Sequence, residues 1–270
     1  MNQYIRNIFI FFLFFSTNAL SSETEFFGEF VQGGVIIGQN KQAKKVFFDN
    51  LELELNNEGY FIFGFGRNHK KSSILQIDFS DRTETYNLDI SKSEYKIERI
   101  DGLPSKMVTP GPELYEKIKS DRLLIGQALK KRYESKTFTT KFIWPAEGRI
   151  SGIFGSQRIL NGLKKNPHGG LDIAAPVGTP IKSIAAGKVL MAEKGLYYTG
   201  NIVIIGHGYK LKSMYIHMED INVSEGDMVK QGHIIGTIGM TGRVTGPHLH
   251  MNVYWNRIKI NPELLLEDKK

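Results

Sequence analysis

Short hydrophobic runs, many alternating with polar positions, cover most of the chain and are separated by glycine, asparagine and aspartate turns. Period-two alternation predicts half-buried strands, so the pattern indicates a mostly β fold. In the amino-terminal half the predicted strands are 29–37, 45–48, 51–55, 60–65, 74–79 and 83–90. In the carboxyl-terminal half they are 181–184, 188–191, 202–205, 214–216, 234–238 and 249–255. The second set must pair mainly antiparallel, because parallel pairing needs helical crossovers for which no segment there has the right length.

One segment has the periodicity of a helix. Pro112 stands at a first-turn position, acidic residues follow it, and basic residues cluster near 130–132, as the helix dipole favours. Apolar residues recur at helical spacing at Leu114, Ile118, Ile125, Leu129 and Tyr133. This stripe predicts a helix that packs on one of the two β regions, with a partner helix from elsewhere as the alternative.

Changes in composition divide the chain into four parts. Residues 1–21 combine a lone arginine, an apolar run over 8–15 and small polar residues, a layout typical of a secretory signal peptide with cleavage after Ala19. That run is much shorter than the roughly 20 apolar residues of a membrane span, which is the alternative. We then predict a small β-sandwich-like domain over 22–99, a linker and helix over 100–138, and an antiparallel β domain over 139–270.

Composition and charge limit the classes of function. Apolar residues make up 41% of the chain and can form real cores, and there is no cysteine for a disulfide or a lipid anchor. A formal net charge of +7 favours an anionic partner such as a wall polymer. Nucleic acid is disfavoured because the basic residues are scattered and the chain carries an export signal. We expect an exported protein of the periplasm or cell envelope without a stable membrane span once the signal is cleaved.

Candidate chemistry is concentrated in the last domain, which holds six of the seven histidines. His168 and Asp172 flank two glycines, which favour a loop entering a strand over a helical turn. His248 and His250 stand at i and i+2 in an apolar strand and therefore share a face. Two imidazoles and one carboxylate with an open position form the ligand set of a catalytic zinc, so we expect one of these three histidines not to be a ligand. His217, expected at a strand end, adds a further histidine.

These residues carry a resemblance to a known family. The stretch 150–262 resembles the LytM or lysostaphin-type zinc endopeptidases of peptidoglycan in the histidines and aspartate above and in the neighbouring motifs 173–180, 206–208, 223–227 and 245–247. The first β domain and the linker, including 100–104, are similar to the front half of two-domain exported members. The resemblance implies that His168, Asp172 and His250 bind one Zn²⁺ and that His217 and His248 act in catalysis.

The implied activity is that of a secreted zinc metallo-endopeptidase, which hydrolyses peptide cross-links of bacterial peptidoglycan through a zinc-activated water. One alternative is a non-catalytic wall-binding regulator of another hydrolase on the same fold, although all the ligand positions are retained here. Another is a peptidase that acts on proteins. The sequence leaves open the bond that is cleaved, the oligomeric state and whether the amino-terminal domain covers the groove.

Three further residues are weaker candidates for substrate binding: Arg158, Asn161 and Tyr215. The arginine and the amide lie in the glycine-rich loop ahead of His168 and could hold substrate carboxylates. They could equally brace that loop. The remaining histidines, His69, His207 and His233, have no partner at ligand spacing, so we expect them to be structural.

Overall fold

The computed structural model describes residues 23–102, 108–135 and 140–268. The predicted signal peptide lies outside these residues. Strands dominate the described part, and the helix α1 covers Tyr115–Lys130. The predicted mostly β fold is therefore confirmed. No helix in the described ranges is both long and apolar enough to cross a bilayer.

The amino-terminal half forms two small sheets. Its strands are β1 Glu25–Phe27, β2 Val35–Gln39, β3 Lys45–Phe48, β4 Leu51–Glu52, β5 Tyr60–Gly64, β6 Ser72–Asp78, β7 Thr83–Asp89 and β8 Ile97–Ile100. One sheet has the order β1-β2-β5 and the other β4-β3-β6-β7. Phe48 of β3 stacks on Phe63 of β5 with ring centroids 4.8 Å apart, so aromatic packing joins the two sheets as expected for a sandwich-like domain.

The carboxyl-terminal half is built on one large sheet. Its strands are β9 Arg149–Gly152, β10 Gln157–Leu160, β11 Leu163–Lys164, β12 Leu171–Ala174, β13 Pro180–Lys182, β14 Gly187–Leu196, β15 Gly200–Gly208, β16 Leu211–Ile221, β17 Met228–Val229, β18 Ile234–Ile238, β19 His248–Trp255 and β20 Ile258–Ile260. The main path runs β17-β14-β15-β16-β19-β12-β9, with β13, β18 and β20 beside it. Its strand pairs are antiparallel, as predicted.

The helix packs on this large sheet. A 3₁₀ turn at Pro112–Leu114 leads into α1, with the proline in the first turn as predicted. Ala128 is buried beside Leu190 and Ile204 of the sheet, and the predicted stripe residues Ile125, Leu129 and Tyr133 pack against the same cluster. The apolar stripe of the helix therefore packs on the carboxyl-terminal β region, which is the first of the two alternatives that the sequence leaves.

The two halves share contacts rather than standing apart. The ring of Phe48 lies 5.8 Å from that of Trp255 in an edge-to-face arrangement, and the Arg67 side chain donates to the Gly155 carbonyl at 2.7 Å. In addition, β8 pairs parallel with β10, which forms a small sheet of order β11-β10-β8. Strand β8, at the end of the predicted first domain, thus pairs with a strand of the segment ahead of His168.

Candidate metal centre

Two neighbouring strands and one loop position the central cluster. Asp172 of β12 and His250 of β19 are directly opposite in the antiparallel register. His168 precedes β12, and its amide donates to the Ser156 carbonyl at 2.8 Å. A Cβ on Gly170 would lie only 2.1 Å from the Met251 carbonyl oxygen. Glycine therefore lets the loop approach β19 closely enough to bring His168 to the other two residues.

The three side chains converge on one point. Asp172 Oδ1 lies 2.7 Å from His250 Nδ1 and 3.0 Å from His168 Nε2. The two imidazole nitrogens are 2.9 Å apart. His168 is 3% exposed and Asp172 is 6% exposed, so water has little access to their nitrogen and oxygen atoms.

This cluster fits a divalent metal ion by the chemistry of its donors. His168 Nδ1 donates to the Ile153 carbonyl at 2.8 Å, which leaves the Nε2 lone pair for the cluster. Two imidazole nitrogens and one carboxylate oxygen match the set found in catalytic zinc sites, with a fourth position left for water. Facing lone pairs of this kind, buried and close together, are what an ion stabilises.

The protonation states agree with metal binding. Burial alone would raise the pKa of Asp172, but hydrogen bonds and charge interactions with His168 and His250 outweigh it and lower that pKa. Burial also lowers the pKa of His250, against the opposing effect of Asp172. A charged carboxylate beside a neutral imidazole is the form in which these groups bind metals.

Two further histidines border the cluster. The His217 ring lies 4.9 Å from that of His248 and 6.3 Å from that of His250. His217 Nδ1 is 2.9 Å from the Thr241 carbonyl oxygen and His248 Nδ1 is 2.8 Å from that of Gly246. Each ring therefore carries its proton on Nδ1 and keeps Nε2 as an acceptor when neutral. Burial, followed by the charges of His250 and His248, lowers the pKa of His217 to about 3.

The strand position of His217 differs from the expectation. The sequence predicts it at a strand end, whereas β16 continues beyond it to Ile221. His217 itself has φ of 66°, an uncommon left-handed conformation for a residue with a side chain. Its amide donates to the Thr199 carbonyl at 2.9 Å, which helps to hold this conformation.

Arg158 contacts the cluster directly. Its Nη2 donates to Asp172 Oδ2 at 2.8 Å and its Nε to Glu98 Oε2 at 3.3 Å. Glu98, on β8, was not identified from the sequence because nothing local marks a residue so distant along the chain. A substrate role for Arg158 remains a prediction, and its guanidinium already has two carboxylate partners.

Asn161 and Tyr215 have structural explanations. Asn161 and Gly162 have φ of 47° and 77° and form the turn between β10 and β11, as an Asn-Gly pair commonly does. Tyr215 is 0% exposed, and its hydroxyl accepts from the Ile184 amide at 3.0 Å. The expected substrate contact by Tyr215 is therefore not supported, because a tyrosine packed in the core offers a substrate no surface.

Two of the three histidines expected to be structural have local partners. His69 Nε2 lies 2.8 Å from Ser73 Oγ. His207 is hydrogen-bonded to the Ala186 carbonyl and to Ser213 Oγ, at 2.9 and 2.7 Å. Neither belongs to the group of ligand atoms around Asp172.

A buried cluster of two histidines and one aspartate, with two more histidines beside it on an antiparallel sheet, has the donor set that the metal centres of hydrolases use. The profile of peptidase family M23 matches residues 166–262, a range that contains all five residues. Over this range the chain is therefore similar to peptidase family M23.

Similar proteins include two from Vibrio cholerae. Peptidoglycan DD-endopeptidase ShyB is 45% identical over 87 residues, which are 32% of this chain and 20% of that protein. Peptidoglycan DD-endopeptidase ShyA is 38% identical over 126 residues, 46% of this chain and 28% of that protein. The chain thus matches less than a third of the length of either relative.

A solved structure of a peptidase M23 type protein from Pseudomonas aeruginosa resembles nearly the whole chain. It has a TM-score of 0.67 at 24% identity, and the match covers 87% of this chain and 94% of that one. At this identity the likeness shows a shared fold, which includes the amino-terminal half.

Proposed function

We propose that this protein is a secreted zinc metallo-endopeptidase that hydrolyses peptide cross-links of bacterial peptidoglycan. The observation that carries the proposal is the convergence of His168, Asp172 and His250 inside the M23-matched range. The names of the Vibrio relatives support peptidoglycan as the substrate class. The net charge of +7, which becomes +6 when the predicted signal segment with its Arg6 is removed, agrees with an anionic wall polymer as partner. The signal-like segment 1–21 supports export to the cell envelope.

One zinc ion would be held by His168 Nε2, Asp172 Oδ1 and His250 Nδ1. When bound, zinc supplies Lewis acidity and lowers the pKa of a coordinated water to about 7. The carboxylate and the two neutral imidazoles leave the bound ion with a net positive charge, which preserves that acidity.

We assign proton transfer to His217 and His248. With Nδ1 of each ring held by a backbone carbonyl, Nε2 is the atom that can accept a proton from the attacking water. The protonated ring can then hydrogen-bond to the developing oxyanion, and it transfers that proton to the leaving amine nitrogen as the C–N bond breaks. The two rings are adjacent, so we expect their contributions to be coupled, and each single substitution then measures the loss of one ring in the presence of the other.

Metal analysis and wall digestion test this proposal together. Purified mature protein should contain zinc and release peptides from isolated sacculi, measured by elemental analysis and mass spectrometry. His168→Ala should lose both properties. His217→Ala and His248→Ala should keep zinc but lose about 100- to 10,000-fold in kcat, the usual contribution of general acid–base groups. His233→Ala, an exposed histidine in a turn outside the site, is the matched control.

Two results would contradict the proposal. If the wild-type protein binds no zinc under saturating conditions, the proposed metal centre does not exist. Wild type that holds zinc but cleaves soluble protein and releases nothing from sacculi would instead identify a peptidase of proteins.

A further inference from the structure

The two oxygens of the Asp172 carboxylate have different surroundings. Oδ1 faces His250 and His168 at 2.7 and 3.0 Å. Oδ2 instead accepts from Arg158 Nη2 at 2.8 Å. A metal placed among the three ligand atoms would therefore use one oxygen of Asp172, while the other stays on the guanidinium.

Arg158 is itself held by a strand from the amino-terminal half. Glu98 of β8 is opposite Arg158 of β10 in the parallel register, and its Oε2 accepts from Arg158 Nε at 3.3 Å. Backbone hydrogen bonds bracket this pair, from the Gln157 amide to the Lys96 carbonyl at 2.8 Å and from the Asn161 amide to the Ile100 carbonyl at 2.9 Å. The position of the guanidinium thus depends on β8 in backbone and in side chain.

The surroundings of Asp172 make this contact significant. Its side chain is 8% exposed, and a Cβ on Gly152 would lie 2.3 Å from Oδ2. Without Arg158 this enclosed oxygen would lose its charged hydrogen-bond partner. A carboxylate freed in this way can turn and ligate a metal through both oxygens, which would fill the position that a catalytic site keeps open for water.

We propose that Arg158 is a positioning residue that holds Asp172 in one-oxygen ligation, and that Glu98 of β8 orients Arg158, so that the amino-terminal half tunes the metal centre. This inference rests on the proposed zinc site. It gives Arg158 a role different from the substrate contact expected from the sequence.

Three substitutions test the inference: Arg158→Gln, Arg158→Lys and Glu98→Gln. Arg149→Gln and Glu94→Gln, at exposed positions outside these contacts, are matched controls. Zinc affinity is measured by competition with a chelator. The visible absorption of the cobalt-substituted protein reports the number of ligands, and hydrolysis of a wall-derived peptide gives kcat and KM separately.

Arg158→Gln should weaken zinc binding by about 10- to 100-fold, as loss of an outer partner of a ligand typically does. Its cobalt spectrum should change, and kcat should fall with little change in KM. Arg158→Lys should restore part of the affinity, because lysine keeps the charge but lacks the two-pronged geometry. Glu98→Gln should shift zinc affinity and the spectrum in the same direction as Arg158→Gln but by less, because the amide oxygen can still accept from Nε.

An Arg158→Gln variant with wild-type zinc affinity and cobalt spectrum but a raised KM would overturn the inference in favour of substrate contact. A Glu98→Gln variant equal to Glu94→Gln would overturn the role of β8. If circular dichroism shows that Arg158→Gln does not fold, Arg158→Lys and Glu98→Gln decide the same question. If the wild type does not bind zinc, the proposed function fails as well. If the wild type binds zinc but the variants do not change zinc affinity or the cobalt spectrum, only this inference fails.

Discussion

Gly152→Ala is a small perturbation aimed at a single ligand. Gly152 ends β9 next to β12 and is opposite Asp172 in the strand register. A Cβ built on Gly152 would lie 2.3 Å from Asp172 Oδ2 and 2.9 Å from Cγ, with no unusual φ to complicate the change. The added methyl group therefore acts by displacing the carboxylate.

The size of the effect follows from these distances. To reach an ordinary contact of 3.4 Å, the carboxylate must move by about 1 Å. A misplacement of about 1 Å in a catalytic arrangement costs about 100-fold in rate. Zinc affinity should fall by about 10- to 100-fold, which corresponds to about 1.4 to 2.8 kcal/mol.

The measurements are the zinc Kd by chelator competition and kcat on a wall-derived peptide. Gly126→Ala is the control, because Gly126 lies in α1, away from the site, and an added Cβ there meets nothing within 4 Å. Circular dichroism checks that both variants fold. If Gly152→Ala binds zinc and cleaves as wild type does, Asp172 is not enclosed as described, and the geometric argument for its ligation fails.

Three further predictions concern the free energy of unfolding and can be tested by single substitutions. Burial lowers the pKa of His207 from 6.5 to about 4. Between these two pH values the unfolded chain binds a proton at this histidine and the folded chain does not. The free energy of unfolding should therefore fall by up to about 3 kcal/mol as the pH drops from 6.5 to 4. His207→Gln should flatten that dependence in urea titrations, and an unchanged slope would contradict it. Gly126→Ala, an open position in α1, should raise stability by roughly 0.5 to 1 kcal/mol, and a lower Tm would argue against the helix. Phe48→Ala should cost about 3 to 5 kcal/mol in urea unfolding followed by tryptophan fluorescence, because Phe48 packs on Phe63 and on Trp255 of the other half; a loss below 1 kcal/mol, roughly the cost of an ordinary substitution, would contradict the shared core.

The local pattern of the chain was sufficient for most elements. The predicted strands 45–48 and 234–238 coincide with β3 and β18, and the predicted helix is α1 with its proline in the first turn. These features depend on neighbours within a few residues, so periodicity reveals them. Other strands run longer than predicted, such as β16 at Leu211–Ile221, because pairing with adjacent strands extends them past the apolar residues.

Part of the candidate site could also be predicted from local sequence patterns. The i and i+2 spacing of His248 and His250 places both on one face of β19, and the glycines after His168 favour the loop that the structure shows. The assignment of ligands and catalytic residues came from the resemblance to a family. Only the register between β12 and β19 brings Asp172 opposite His250.

The sequence by itself determined the strand and helix content, and it predicted that the candidate metal-binding and catalytic residues lie in the carboxyl-terminal half. The tertiary structure alone decided that Tyr215 is enclosed in the core, that His217 sits inside β16 and that β8 returns to pair with β10. It also joined Glu98, Arg158 and Asp172. The physical reason is that such contacts depend on which distant strands pair, whereas the period-two pattern within one strand indicates its buried face but does not identify its partner.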